Sequence, residues 1–251
     1  NVHSAMTVAS TSGISGGLVG QFTGTSSLSQ SSFTGSLSGS SYTGSLVGAI
    51  WDAGGTISDS FSSGTLNSQS AYEGGIVGGL FNGDVARVYS SMTINTNGNP
   101  YNGGLVGDSQ VSVSNSFSAA TRTGGGSYYG GVVGLNIGGP YTNNYFDETT
   151  NGTSSCYGLN SASGCTSVNA GNATPNYFKN NSTNGPLNTW DFTNVWATTA
   201  GYPTLRNIAG FTDPTVPNSG DANGDSIADS YQANVLSVID SNGKWTTVTV
   251  P

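Results

Sequence analysis

Apolar positions along the chain recur in a fixed pattern. Gly16-Gly17-Leu18-Val19-Gly20 returns as Gly44-Ser45-Leu46-Val47-Gly48 and as Gly74-Gly75-Ile76-Val77-Gly78. It returns again as Gly103-Gly104-Leu105-Val106-Gly107 and Gly130-Gly131-Val132-Val133-Gly134, with start-to-start spacings of 28, 30, 29 and 27 residues. Two positions before each start stands Ile14, Tyr42, Tyr72, Tyr101 or Tyr128, and 14 to 17 residues after it stands Phe33, Phe61, Tyr89, Phe117 or Tyr145. In the last four units Ile57, Val85, Val113 or Tyr141 lies four positions ahead of that second aromatic. A spacing of four with polar residues between suits a strand, in which alternate residues share a face.

A repeat of this length bounds the architecture. Units holding several Gly with abundant Ser and Thr make poor helices, and a propeller blade needs about 40 residues. The period fits three short strands joined by turns. One strand would carry Gly-Leu-Val-Gly, one the Ser-Phe element, and one the following Thr65-Leu66 or Thr93-Ile94. The pattern therefore predicts an all-β chain, a parallel β-solenoid of about five coils of about 29 residues over 1–150. Parallel crossovers favour right-handed winding. Coils stacked at about 4.8 Å would bring like residues into ladders, Leu/Ile/Val on one wall and Phe/Tyr on another. The paired glycines would serve a corner through positive φ or close backbone approach. In the first unit Leu28 lies five positions before Phe33, so the register of that coil stays open.

Composition changes the picture in two ways. Gly and Ser number 39 each, Thr 29 and Asn 26, a composition otherwise typical of flexible linkers. The 25 aromatic residues and the recurring Leu, Ile and Val are too many apolar anchors for a linker. Charged residues are only 7% of the chain, with one His, so enzymes built on His or Lys chemistry are nearly excluded. A net charge of −8 offers no basic patch for nucleic acid. No run of about 18 apolar residues is present to span a bilayer, and none resembles a signal peptide.

The Gly-Gly-Leu-Val-Gly core with its downstream Ser-Phe/Tyr-Ser element resembles the GLUG repeat of large bacterial surface proteins, over about residues 13–150. Asn144–Thr149, Trp190–Trp196 and Gly201–Arg206 look like the segments that close such arrays. The resemblance implies a surface repeat array without chemistry of its own. In the family's proteases the activity sits in a separate domain, and no His-Glu-x-x-His signature occurs here.

Beyond residue 150 the period is lost. Residues 151–210 read as an irregular C-terminal cap, with Trp190 and Trp196 closing the hydrophobic end. Cys156 and Cys165 bracket residues 157–164. In an extracellular protein they predict a disulfide, and a two-Cys metal site would lack further ligands. After the linker Asp213-Pro214-Thr215-Val216-Pro217, residues 211–251 carry Asp221, Asn223, Asp225 and Asp229, with the Ile227 carbonyl between them. Oxygen donors at positions 1, 3, 5, 7 and 9 are the layout of a Ca²⁺ loop. It resembles the short calcium motifs of dockerins and thrombospondin type-3 repeats. Ser226 replaces the turn glycine of an EF-hand and Gln232 its bidentate Glu, and a solvated Asx-rich turn is the alternative. Asp229–Leu236 could form a short helix, and Lys244–Val250 reads as a strand.

Asp52, Asp84 and Asp108 occupy different places in their repeats, and Asp59 reads as solvent-facing, so no spacing fixes a carboxylate pair. His3 has no nucleophile beside it. An ice-binding face would require Thr-x-Thr at one register in every coil, and Thr121-Arg122-Thr123 stands isolated. The reading is a non-enzymatic structural or adhesive segment of a secreted or cell-surface protein, whose partner is an unidentified surface ligand or glycan. One alternative is an extracellular filament subunit, joined head to tail by exchange of the strand at residues 1–9. Another is a carbohydrate-binding or polysaccharide-cleaving β-helix.

Overall fold

The structure, a computed structural model, describes residues 1–52, 54–67, 69, 71–168, 187–199, 201–206 and 208 and the strands Val235–Ile239 and Trp245–Thr249. Two compact units emerge, Asn1–Ile208 and Ala209–Pro251. In the second, Val235–Ile239 pairs antiparallel with Trp245–Thr249. Val235 and Leu236 thus lie in a strand, where a short helix was expected.

The first unit is a parallel β-solenoid of about six turns. Val19–Phe22, Val47–Ile50, Val77–Leu80, Val106–Ser109, Val133–Asn136 and Tyr157–Leu159 form one sheet, each strand paired with the same strand of the next turn. A second sheet runs from Ser15–Gly16 through Tyr42–Gly44, Tyr72–Gly74 and Asn102–Gly103 to Tyr129–Gly130. The third is longest in the middle turns, where Thr56–Asn67 pairs with Asp84–Asn95 at every position except Asp59 and Arg87. Residues 1–9 pair within the chain. His3–Ser4 lies on Ser32–Phe33 and Thr7–Ala9 on Ser36–Ser38, adding a partial turn ahead of the first. The sixth turn is built from Tyr157–Leu159 and Cys165–Val168. Five coils were expected, and residue 150 falls inside the stack.

The Gly-Leu-Val-Gly motif is a corner between two sheets and does not lie within one strand as its pattern suggested. Gly44, Gly74, Gly103 and Gly130 end strands of the second sheet, and Val47, Val77, Val106 and Val133 begin strands of the first. At the bend two successive side chains turn inward: Leu46 and Val47, Ile76 and Val77, Leu105 and Val106 are all fully buried. The turn is so tight that a Cβ at the first glycine of each motif would overlap the carbonyl oxygen of the valine three residues on. None of these glycines has positive φ. Close approach is what excludes a side chain here.

Inside the long sheet, Ile57, Val85 and Val113 stack in register, as do Leu66 and Ile94. Ser62, Ser90 and Ser118 are also fully buried and share one column. The Ser62 hydroxyl donates to the Gly75 carbonyl, and its Oγ lies 3.0 Å from that of Ser90. Phe33 settles the register left open in the first coil. It pairs with Ser62, while Ser32 pairs with Phe61. The additional residue between Leu28 and Phe33 therefore turns the ring into the core, where it is fully buried. Phe146 fills the same column at the other end.

Phe61, Tyr89, Phe117 and Tyr145 point the other way, to the outer face of the long sheet. They are covered by the segment from Leu187 to Ile208. Trp190, Trp196, Leu205 and Ile208 form with them a second apolar cluster, separate from the solenoid interior. Trp196 lies 5.8 Å from Phe117 and Trp190 5.5 Å from Tyr145, ring centre to ring centre. The two tryptophans were expected to close the end of the stack. They form a side strap, because the outward aromatic column would otherwise face water. Trp196–Ala197 and Thr204–Leu205 pair antiparallel within the strap, and the Tyr202 hydroxyl donates to Asp147.

Candidate functional site

The long strands carry a sharp bend that recurs in every turn. Gln30, Asp59, Arg87, Asn115 and Asn143 all have left-handed backbones, with φ of 48, 50, 52, 48 and 53°. Such a conformation costs a non-glycine residue about 1–2 kcal/mol and interrupts the ladder: Ser58 pairs with Ala86 and Ser60 with Val88, while Asp59 and Arg87 stand out between them. Serine hydroxyls repair the gap. The Ser31 amide donates to Ser60 Oγ at 3.1 Å, and the Val88 amide to Ser116 Oγ at 3.1 Å. The serine preceding the aromatic in the repeat is thus a backbone substitute, and the residue before it projects from the sheet.

In the turns of the two long strands these projecting residues are Asp59 and Arg87, which form a fork. Arg87 Nε donates to Asp59 Oδ1 at 2.6 Å and Nη2 to Oδ2 at 2.7 Å. The hydrogen bonds to Asp59 raise the guanidinium pKa. Asp59 was read as facing solvent and is instead a half-buried member of an ion pair. Together with Gln30, the fork forms one side of a cleft of about 460 Å³, and Asp191, Asn194, Val195, Leu205 and Ile208 of the strap form the other. Asp191 is fixed as well. It accepts hydrogen bonds from the amides of Thr193 and Asn194 at 3.0 and 2.9 Å and from Asn194 Nδ2 at 3.0 Å. The bonds from Asn194 hold its carboxyl below the usual range. The cleft combines two carboxylates, one guanidinium and two amides with an apolar wall.

A second outer surface is aromatic. Tyr42, Tyr72, Tyr101 and Tyr128 stack one per turn at 4.7, 5.4 and 5.3 Å. Trp51 and Phe81 stack at 4.1 Å and meet Tyr42 edge-on. Gly79 leaves the space, since a Cβ there would come within 2.7 Å of both Tyr42 and Phe81. Asp108 occupies the same column one turn on. It is 3% exposed, and its Oδ1 has no hydrogen-bond partner among the described residues. Burial pushes its pKa up to about 6.

The other residues singled out by sequence are dispersed. Cys156 and Cys165 are joined, with Cα atoms 6.0 Å apart, inside the sixth turn. His3 Nδ1 lies 2.9 Å from Ser32 Oγ on the first rung. Asp52 accepts from the Gly24 amide at 3.4 Å in a loop, and Asp84 begins its long strand. Thr121-Arg122-Thr123 lies in register with Thr93-Ile94-Asn95, so Thr-x-Thr does not repeat. Asp221, Asn223, Asp225, Ile227 and Asp229 lie outside the described residues. Among the described residues no three His, Cys, Asp or Glu side chains group closely enough to hold a metal ion, and no helix is long and apolar enough to cross a membrane. Gln30 and Arg87 escaped the sequence reading because the bend position holds a different residue type in nearly every turn. The signal that could have found it is the serine that follows in Ser58-Asp59-Ser60 and Ser114-Asn115-Ser116.

No protein-family model, no curated protein and no solved structure matches the chain.

Proposed function

We propose that this chain is a non-enzymatic structural and adhesive segment of a secreted or cell-surface protein. One observation carries the reading: the residues that recur from turn to turn are used in building the stack. The glycines admit close backbone approach, the Leu/Val pairs fill the interior, the serines replace lost backbone bonds, and the aromatics stack. The side chains that change between turns, such as those at the bend, lie on the outer surface, beside the constant tyrosine column. A constant frame with a variable exterior suits presentation to a partner. Two further features favour the reading. The repeat resembles the GLUG arrays of bacterial surface proteins, and a disulfide suits an oxidising compartment. Ca²⁺ at Asp221, Asn223, Asp225, Asp229 and the Ile227 carbonyl belongs to the same proposal, and calorimetric titration of the chain with Ca²⁺ tests it.

The test of the main reading is adhesion without turnover. Beads coated with the chain should be retained on cell or polysaccharide surfaces, and soluble polysaccharides incubated with it should gain no new reducing ends. Release of sugar from any polysaccharide would refute the non-enzymatic reading, and absence of retention on every surface the adhesive one.

A further inference from the structure

We infer that the cleft between the Asp59–Arg87 fork and the strap is a binding site for a neutral saccharide. This inference rests on the adhesive reading and names the chemistry of its partner. The bend position supplies the first argument. Where that column lies away from the cleft, neutral amides suffice: Asn143 Nδ2 donates to Asn115 Oδ1 at 3.3 Å across adjacent turns. The same backbone conformation therefore does not require charge. Of the three turns that border the cleft, two carry the oppositely charged, bidentate pair, and Gln30 of the third adds a neutral amide beside it.

The geometry of these groups gives the second argument. A sugar ring presents adjacent hydroxyls, which both donate and accept, along its rim, and C–H groups on its faces. Planar, doubly hydrogen-bonding groups held in fixed orientation match the rim, and an apolar wall matches the faces. Asp59 and Arg87 hold each other, while the three hydrogen bonds to Asp191 hold that carboxylate. Binding would then order few side chains, which reduces a main cost of association. Arg87 uses only Nε and one Nη in the fork, and a guanidinium has further N–H donors. Val195, Leu205 and Ile208 supply the wall. The volume of about 460 Å³ falls within the roughly 300–1,000 Å³ of small-molecule sites.

Charge selects the class. Two carboxylates against one guanidinium leave the cleft with a net negative charge, which disfavours sulfated or uronic sugars, phosphates and other anions. The full chain should therefore be tested for equilibrium binding to immobilised gluco-, manno-, galacto- and N-acetylglucosamine oligosaccharides, with sulfated and uronate oligosaccharides beside them. Two variants accompany it. The double variant Asp59→Asn/Arg87→Gln removes both charges without stranding either, and Val195→Trp fills the cleft; thermal unfolding verifies that each is folded. At least one neutral oligosaccharide should bind, and both variants should weaken it tenfold or more. Failure of every neutral probe, preference for the charged ones, or unchanged affinity in the double variant would overturn the inference. If native and variant chains adhere to cells equally, the cleft falls and the adhesive reading stands. If the cleft binds sugar while the chain adheres to nothing, the reverse holds.

Discussion

The solenoid carries two outer aromatic columns built on the same rule and treated differently by the rest of the chain. Phe61, Tyr89 and Phe117 stack at 4.9 and 5.1 Å on the long sheet. Tyr42, Tyr72, Tyr101 and Tyr128 stack at 4.7 to 5.4 Å around the corner. Both spacings follow from the separation of paired strands, about 4.8 Å, so stacking is a consequence of register. Burial is not. The first column lies under Trp190, Trp196 and Tyr202, and Phe117 and Tyr145 are 1% and 3% exposed. In the second column Tyr128 is 44% exposed, and Trp51, against Tyr42 at the column's other end, 36%. A repeat thus dictates which side chains line up, and a non-repeating segment decides which of those lines joins a core.

Removing the cover should produce the largest effect. Trp196→Ala takes a fully buried ring from the centre of the strap cluster, and losses of about 3–5 kcal/mol are usual for such a change. Denaturant unfolding should show that loss, and near-ultraviolet circular dichroism should show release of the Tyr89–Phe117 column. A loss below about 1 kcal/mol would mean that the strap contributes little and the two columns are equivalent. The next effect belongs to the sixth turn, where neither column continues: Thr166 takes the place after Tyr145. The Cys156–Cys165 bridge holds this turn. For so short a loop the double change Cys156→Ser/Cys165→Ser should cost about 2–3 kcal/mol. Equal unfolding midpoints for the oxidised chain and this variant would contradict it.

The contrast between the columns also marks what the sequence made legible. The period and the ladders were readable because one residue type stands at one place in each turn. The placement of Trp190 and Trp196 was not, because a Phe/Tyr wall can face the core or the exterior with the same spacing. What decides it is the inward column beside it, Ser62, Ser90 and Ser118, whose small side chains leave no room for rings except at its two ends, Phe33 and Phe146. The corner was read in part, for a related reason: close approach of the glycines was expected there, but Leu and Val were assigned to one strand with them. Gly, Leu and Val are compatible with both a strand and a tight bend, and only the approach of each glycine to the valine carbonyl distinguishes them. The cleft was the least legible feature. It joins residues of three turns to residues more than a hundred positions away, and no spacing rule links them.

Smaller effects should come from the partly exposed column. Tyr72→Ala breaks two ring stacks at a partly exposed position that water can refill, so about 1 kcal/mol is expected. A loss matching that of Trp196→Ala would mean that the uncovered column contributes as much as the covered one. The smallest effect depends on pH and concerns Asp108, whose carboxyl lies beneath the Tyr42–Tyr72 stretch and raises both phenol pKa values after their own burial. Its folded pKa of about 6 exceeds the value of about 4 for an unfolded chain. Between those values the folded state holds the proton more tightly, so stability falls as pH rises from about 4 to 6 and then levels off. The full shift would correspond to about 3 kcal/mol, and relaxation of the site and water penetration around the ionised carboxylate should reduce it to about 1 kcal/mol. Asp108→Asn keeps the shape and cannot ionise. Relative to the native chain it should be neutral below pH 4 and more stable by that amount at pH 7.5. Unfolding curves for the two proteins that stay parallel across this range would show that Asp108 is as well solvated when ionised in the fold as in the open chain.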